Sequence, residues 1–336
     1  MIRNIVLGAS EYGVPVDTLC NHIGIEKSTL KNIHDFLPFE TAIIAWEKAL
    51  ELTWEKDLGI KIGFQIKPHD IGAISHLLTT SQNLVQAWES FLKYSEISGC
   101  AMSFKFSENK DYCFLHILPQ PYWEIVTSIT MEQIVDSVLG SIYNVLNIIA
   151  SRKIDPAQIY LKTKSYHHKE KYIVNFHRHD IIESDEYKVA FSKKDMRIPV
   201  ISQNSELYKL YQDRIASDFM RLIDQKPLLN TLKRKIFTDY WPFLPTIENI
   251  SSDFCMSAKT LHRKLKDENT TFKQLILELK MEFAEVLLLS GRFSISNIAY
   301  KLLYAEVSVF TRAFINYYGV SPSVYKGARM SLVNPT

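Results

Sequence analysis

Two short runs of this chain carry side chains suited to reading a nucleic acid. In "SAKTLHRKL" (257–265), Lys259, Thr260, His262 and Arg263 surround the apolar Leu261 and Leu265, and Lys266 follows directly. In "SVFTRAFINYYG" (308–319), helical spacing puts Phe310, Ala313, Phe314 and Tyr317 on one face and Ser308, Thr311, Arg312 and Asn316 on the other. An ordinary solvated helix face is a Lys/Glu mixture. Hydroxyls, an amide and a lone arginine are instead the groups that hydrogen-bond base edges in a major groove. There a bidentate arginine–guanine pair contributes about 1–3 kcal/mol of discrimination. Lys259, Lys266 and Lys273 suit phosphate contact, which positions a protein without specifying sequence.

Each run needs a preceding helix and turn to present it. Ile247, Ile250 and Phe254 mark a short first helix, "CMS" a turn, and Ser257 a cap for the helix that follows. The arrangement recurs in "SISNIAYKLLYAEVSVFTRAFINYYG" (294–319). Here Ile295, Ile298 and Ala299 mark the first helix, and the turn lies around Leu303–Glu306. Between them "FKQLILELKMEFAEVLLLSG" (272–291) reads as an amphipathic connecting helix stopped by Gly291. Two reading helices on one connector suit successive major-groove turns about 34 Å apart.

A different chemistry is conceivable at "YHHKEKYIVNFHRHD" (166–180). On a strand, His177 and His179 would share a face, with His167, His168 and Glu170 or Asp180 nearby as further metal ligands. The lysine- and arginine-rich setting and the lack of an HExxH spacing favour a polar, partly exposed strand-and-loop region. Cys20, Cys100, Cys113 and Cys255 form no CxxC pair, so reduced thiols are expected rather than a zinc site or disulfide framework. No glycine-rich phosphate loop or G-x-S-x-G elbow is present, and the chain reads as a non-enzyme with no cofactor.

The 336 residues suffice for two or three domains, and 46% hydrophobic with 23% charged residues is ordinary for a soluble protein. The net charge of +2 hides an asymmetry, since Lys226 to Arg329 holds 15 basic against 9 acidic residues. A basic carboxy-terminal third is the footprint of nucleic-acid binding in one domain. No run approaches the ~18 apolar residues of a membrane span. "MIRNIVLGASEYG" lacks a secretion-signal pattern, so a cytoplasmic location is expected.

Residues 1–200 read as a helix-rich α+β domain. Residues 38–55 form a helix with Ile43, Ile44, Trp46, Leu50 and Trp54 as apolar positions, and 83–97 and 124–151 form others. Residues 101–119 form a hairpin, and 157–165 and 185–193 carry later strands. "VPVDTLCNHIGIEKSTLKN" (14–32) imitates a helix–turn–helix, but its flanks are not basic and a packing role is preferred. Residues 201–229 supply a coupling helix and linker, with Leu207, Leu210, Tyr211, Phe219, Leu222 and Ile223 as its apolar stripe. Residues 230–328 form an all-α DNA-binding domain with units at about 247–268 and 294–318.

Residues 230–328 resemble the AraC/XylS transcription regulators. The resemblance rests on "SAKTLHRKL", "SISNIAYKLLYAE" and "SVFTRAFINYYGVSPSVYK", the last closing with Gly319, Ser321, Pro322 and Tyr325. "LGASEYGVPVDTLCNHIGI", "LGIKIGFQIKPHDIGAISHLLTTSQNLVQAW" and "VNFHRHDIIESDEYKVAFSKKDM" resemble the larger α+β ligand-binding and dimerisation domain of one subset, rather than a small β-barrel sugar domain. The resemblance implies double-stranded promoter DNA, a small-molecule effector, a homodimer and, for an activator, RNA polymerase as partners. It places Lys259, His262, Arg263, Ser308, Thr311 and Arg312 against DNA. Where the family usually has glycine before the second reading helix, this chain has Leu303. If that turn is left-handed, leucine there is strained by about 1–2 kcal/mol.

Overall fold

The structure, a computed structural model, describes residues 2–31, 39–95, 102–119, 128–177, 180–225, 228–236, 240, 244–289 and 293–333. The chain divides into two compact units, Met1–Arg221 and Leu222–Thr336.

The first unit begins with α1 (Ile2–Ser10), α2 (Val16–Ile23), α3 (Phe39–Thr53), α4 (Leu58–Gln65), α5 (Ile74–Thr80) and α6 (Leu84–Tyr94). α2 turns its Leu19, Cys20 and Ile23 into the core and ends on left-handed Gly24. Among the described residues that follow, only a five-residue 3-10 helix, Lys27–Lys31, is formed where a second helix was expected. α3 buries Ala42, Ile43, Ala45, Trp46 and Ala49. Trp54 does not join them: it lies past the helix end at φ 55° and is 88% exposed.

The hairpin expected from alternating residues is β1 (Met102–Glu108) and β2 (Tyr112–Pro119). Asn109 Oδ1 closes its turn by accepting from the Asp111 and Tyr112 amides at 2.9 and 2.8 Å. Next come α7 (Ser128–Ile149), β3 (Gln158–Lys162), α8 (Thr163–Tyr166), α9 (Lys169–Phe176), β4 (Ile181–Ser184), β5 (Tyr187–Ser192) and α10 (Lys193–Met196). The strand order is β1-β2-β5-β3-β4, antiparallel except for β3–β4. That parallel pair needs a crossover, which α8 and α9 supply. Alternate residues Cys113, Leu115, Ile117, Ile159, Leu161, Val189 and Phe191 bury one face.

The histidine segment is therefore helical rather than strand and loop. His177 ends α9 in a left-handed conformation, and His179 lies outside the described residues. Among the described residues, no three or more His, Cys, Asp or Glu side chains gather as a metal site.

α4 crosses α7 at very short range. A Cβ on Gly59, Gly63 or Gly140 would lie 2.2, 2.4 or 2.8 Å from a carbonyl oxygen of the opposing helix. Gln133 of α7 clamps the crossing, accepting from the Gly59 amide at 2.7 Å and donating to the Lys56 carbonyl at 2.9 Å.

α11 (Ser205–Gln225) starts on Asn204, whose Oδ1 accepts from the Glu206 and Leu207 amides. Its packing face keeps Tyr211 of the expected stripe and otherwise differs. Tyr208 bonds Ser90 at 2.7 Å, Tyr211 stacks on His76 at 4.6 Å, and Ile215 is buried. Leu207 and Leu210 are 41% and 62% exposed, while the side chains of Phe219, Leu222 and Ile223 lie outside the described set.

The second unit is all helical: α12 (Leu228–Lys235), α13 (Ile247–Asp253), α14 (Ala258–Asp267), α15 (Phe272–Leu289), α16 (Ile295–Lys301), α17 (Val307–Tyr318) and α18 (Pro322–Val333). Leu232, Ile236, Ile250, Leu261, Leu265, Leu275 and Leu279 form its first core. Gly291, the expected stop for α15, lies outside the described residues. Among the described residues no helix is long and apolar enough to cross a membrane.

Candidate nucleic-acid interface

Two helix pairs, α13–α14 and α16–α17, are built on the same local rules. Thr246 caps α13 by accepting from the Asn249 amide, and Ser294 caps α16 by accepting from the Asn297 amide. Each short helix ends in a left-handed non-glycine residue, Cys255 at φ 51° and Leu303 at φ 59°. The hydrogen bonds match. Cys255 and Met256 amides reach the Ser252 and Ser251 carbonyls at 2.9 and 3.0 Å, and Leu303 and Tyr304 amides reach Tyr300 and Ala299 at 3.0 Å each. This pairing satisfies carbonyls that a helix end leaves open. The turn does require a left-handed residue, and leucine occupies it with its side chain 49% exposed.

α14 is capped by Ser257, whose Oγ accepts from the Thr260 amide at 3.1 Å. Leu261 and Leu265 are fully buried, as are Phe310 and Phe314 in α17. The left-handed residues, 255 and 303, are 48 apart, but the buried pairs, 261/265 and 310/314, are 49 apart. The second turn is thus one residue longer, and α17 begins without a side-chain cap at Glu306. Arg263 and Arg312 occupy matching positions, each two residues after the first buried anchor, and both are exposed.

Lys259, His262, Lys266, Ser308 and Asn316 are also exposed; Thr260 and Thr311 are half-buried. Several hydroxyls are already engaged. Thr311 donates to the Val307 carbonyl at 2.9 Å, Ser308 donates to Glu306 at 3.0 Å, and Thr260 and Ser257 hydroxyls pair at 2.9 Å. Thr311 therefore offers an outside partner lone pairs rather than a proton. The aromatic face of α17 needs one correction. Tyr317 is 42% exposed, and Tyr318 turns inward instead, stacking on Phe314 and Tyr325 at 4.6 and 4.7 Å.

The residues that hold α14 and α17 in place escaped sequence reasoning. Glu285 of α15 accepts from Tyr325 at 2.5 Å and Tyr318 at 3.2 Å, and Tyr318 also reaches the Met281 carbonyl at 3.1 Å. Burial, and then the Glu285 carboxylate, push the Tyr318 phenol far above its usual range. Lys233 of α12 bridges Glu278 and Glu282 at 3.2 and 2.7 Å. Glu268, just past α14, accepts from the Leu228 and Leu229 amides at 2.6 and 3.1 Å, capping α12. Lys280 lies 4.4 Å from the Tyr304 ring centroid, and burial holds its ammonium below the usual lysine range. One signal was available: Glu278, Glu282 and Glu285 share a face of α15 in an otherwise basic segment.

Residues 250–328 match a family described as a helix-turn-helix domain, and residues 13–200, more than half the chain, match the arabinose-binding domain of AraC transcription regulator, N-terminal. The transcriptional regulator GadX of Escherichia coli K12 is 38% identical over 81 residues, covering 24% of this chain and 30% of GadX. The porin thermoregulatory protein EnvY of the same strain is 33% identical over 86 residues, 26% of this chain and 32% of EnvY. Regulator Rv1395 of Mycobacterium tuberculosis is 35% identical over 94 residues, 28% of this chain and 27% of Rv1395. These matches thus span about a third of each relative or less. The crystal structure of regulator CdpR from Pseudomonas aeruginosa aligns over 93% of this chain and 97% of its own, with TM-score 0.42 and 15% identity.

Proposed function

Because the chain belongs to the AraC-type transcription regulators, we propose that it binds specific promoter sequences by inserting α14 and α17 into the major groove. The observation supporting this reading is the recurrence of an exposed arginine, Arg263 and Arg312, at one position of two matching reading helices. Arginine's planar fork is suited to the O6 and N7 atoms of guanine. Lys259, Lys266 and Lys273 take phosphates, while His262, Ser308, Thr311 and Asn316 add groove contacts. Glu306 repels phosphate and accepts from the cytosine amino group, so α17 favours a cytosine near its start.

Residues 13–200 hold a small effector, in keeping with the ligand-binding description of the matching family. The protein acts in the cytoplasm as a homodimer and activates transcription through RNA polymerase. Effector binding shifts the population toward arrangements in which both protomers meet their half-sites.

The test is selection of genomic fragments by the purified full-length protein, followed by affinity measurements on an enriched site. Arg263→Ala and Arg312→Ala should each weaken that site by roughly 5- to 150-fold, the equivalent of about 1–3 kcal/mol. Binding to mixed-sequence DNA should change far less. Uniform fragment enrichment, unaltered in the double variant, would show that these helices do not read sequence.

A further inference from the structure

The parallel strands β3 and β4 end at Lys162 and Ser184, and a cleft of about 450 Å³ opens at those ends against α7. This volume lies within the range of small-molecule sites.

A buried polar network reaches the wall of this cleft at Glu132. Glu132 of α7 accepts from Lys171 at 2.7 Å and from His168 at 3.1 Å. Lys171 also donates to Asp136 at 2.5 Å, and Asp136, with no exposure, accepts from Tyr172 at 2.5 Å. Beside it, the Ser165 hydroxyl pairs with that of Tyr187 at 3.1 Å. Glu132, Ser165 and Tyr187 all line the cleft. A fully buried carboxylate–ammonium pair is a poor stabiliser compared with apolar packing. Titratable groups perturbed by burial and a specific charge partner in a cleft cluster at functional sites.

The wall chemistry selects the ligand. Lys162 and Lys164 bring two ammonium groups to the rim, and the Lys162 ammonium lies 5.6 Å from the Tyr187 ring centroid. Glu132 is already engaged as an acceptor by Lys171 and His168. Asp185 makes no ion pair among the described residues; it accepts only a 3.4 Å hydrogen bond from Ser184. The lining is otherwise mostly hydroxyl-bearing.

We propose that this cleft binds a small carboxylate that also carries a hydroxyl or ammonium donor, and that it is the effector site of the first unit. The carboxylate sits between Lys162 and Lys164, and the donor faces Asp185. Contact at Glu132 is transmitted through Lys171 and Asp136, which tie α7 to α9. The proposal rests on the effector-responsive reading above.

Calorimetric titration of the full-length protein with glycerate, L-lactate and L-serine, and with a neutral pentose for comparison, tests it. At least one carboxylate should bind saturably. Lys164→Ala and Asp185→Asn, both at exposed positions, should keep the wild-type melting temperature. Each should weaken binding by about tenfold or more, as expected for losing one charge-assisted contact. Binding of none of the three, binding of the pentose alone, or affinity unchanged in both variants would overturn the site. Fragment selection without added ligand, on the same preparation, judges the DNA reading independently, so the two failures are distinguishable.

Discussion

Replacing Leu303 by glycine and by alanine isolates the cost of the left-handed turn before α17. Leu303 sits at φ 59°, where Cβ crowds the following carbonyl and an L-residue is disfavoured by about 1–2 kcal/mol. Both variants remove the half-exposed leucine side chain, so its lost packing cancels in the comparison. Glycine escapes the Cβ clash but gives up about 0.5–1 kcal/mol through its greater freedom when unfolded. The balance puts Leu303→Gly above Leu303→Ala by about 0.5–1 kcal/mol. In a helix interior the order is reversed, with glycine lower by about 0.8–1 kcal/mol. Ile315, exposed in α17, serves as the control position with the ordinary order. Cys255, at φ 51°, is an internal replicate and should show the same inversion. Thermal unfolding followed by circular dichroism reads the difference, with about 1 kcal/mol amounting to a few degrees for a unit of this size. Alanine equal to or better than glycine at both turns would refute the assignment of strain.

Gly63→Ala should destabilise the first unit by about 2 kcal/mol or more, because its Cβ would meet the Ser137 carbonyl at 2.4 Å and force α4 off α7; denaturant titration with an unchanged midpoint would contradict this. Glu285→Ala should cost about 3 kcal/mol by removing the shared acceptor of Tyr318 and Tyr325, and Tyr325→Phe less, as measured by the same titration. Asp136 carries a pH signature: burial raises its carboxyl to about 6, more than Lys171 and Tyr172 lower it. A folded-state value above the unfolded one favours folding while both states are protonated, and the contribution fades as pH rises from about 4 to 6. Against Asp136→Asn, the wild type should therefore lose about 3 kcal/mol of relative stability across that interval. A difference that grows with pH would mean that the Lys171 pair outweighs burial.

The recurring unit was legible because its signals are local. Capping by Thr246, Ser257 and Ser294 and burial of pairs such as Leu261/Leu265 and Phe310/Phe314 need only a few residues each. The hairpin at 102–119 was legible for the same reason, since alternation and the Asn109 turn are short-range. Errors arose where an apolar residue had two plausible faces. Spacing did not distinguish Tyr317 from Tyr318, and only Glu285 and the Met281 carbonyl, reached across from α15, decide which ring turns inward. Tyr211 of the expected stripe packs on His76, but Leu207 and Leu210 gave way to Tyr208 and Ile215, with Ser90 supplying the partner for Tyr208.

By itself, then, the sequence determined the helix-rich α+β body and the two helix–turn–helix units. These follow from periodicity and capping, which act within a turn or two of helix. Only the tertiary structure decided the rest. It joined Glu132, Asp136, Lys171 and Tyr172 into one buried network, set the cleft at the ends of β3 and β4, and tied α15 to α17 and α18 through Glu285. Charges remote in sequence become partners only when packing removes the water between them, and no local pattern records which pairs that will be.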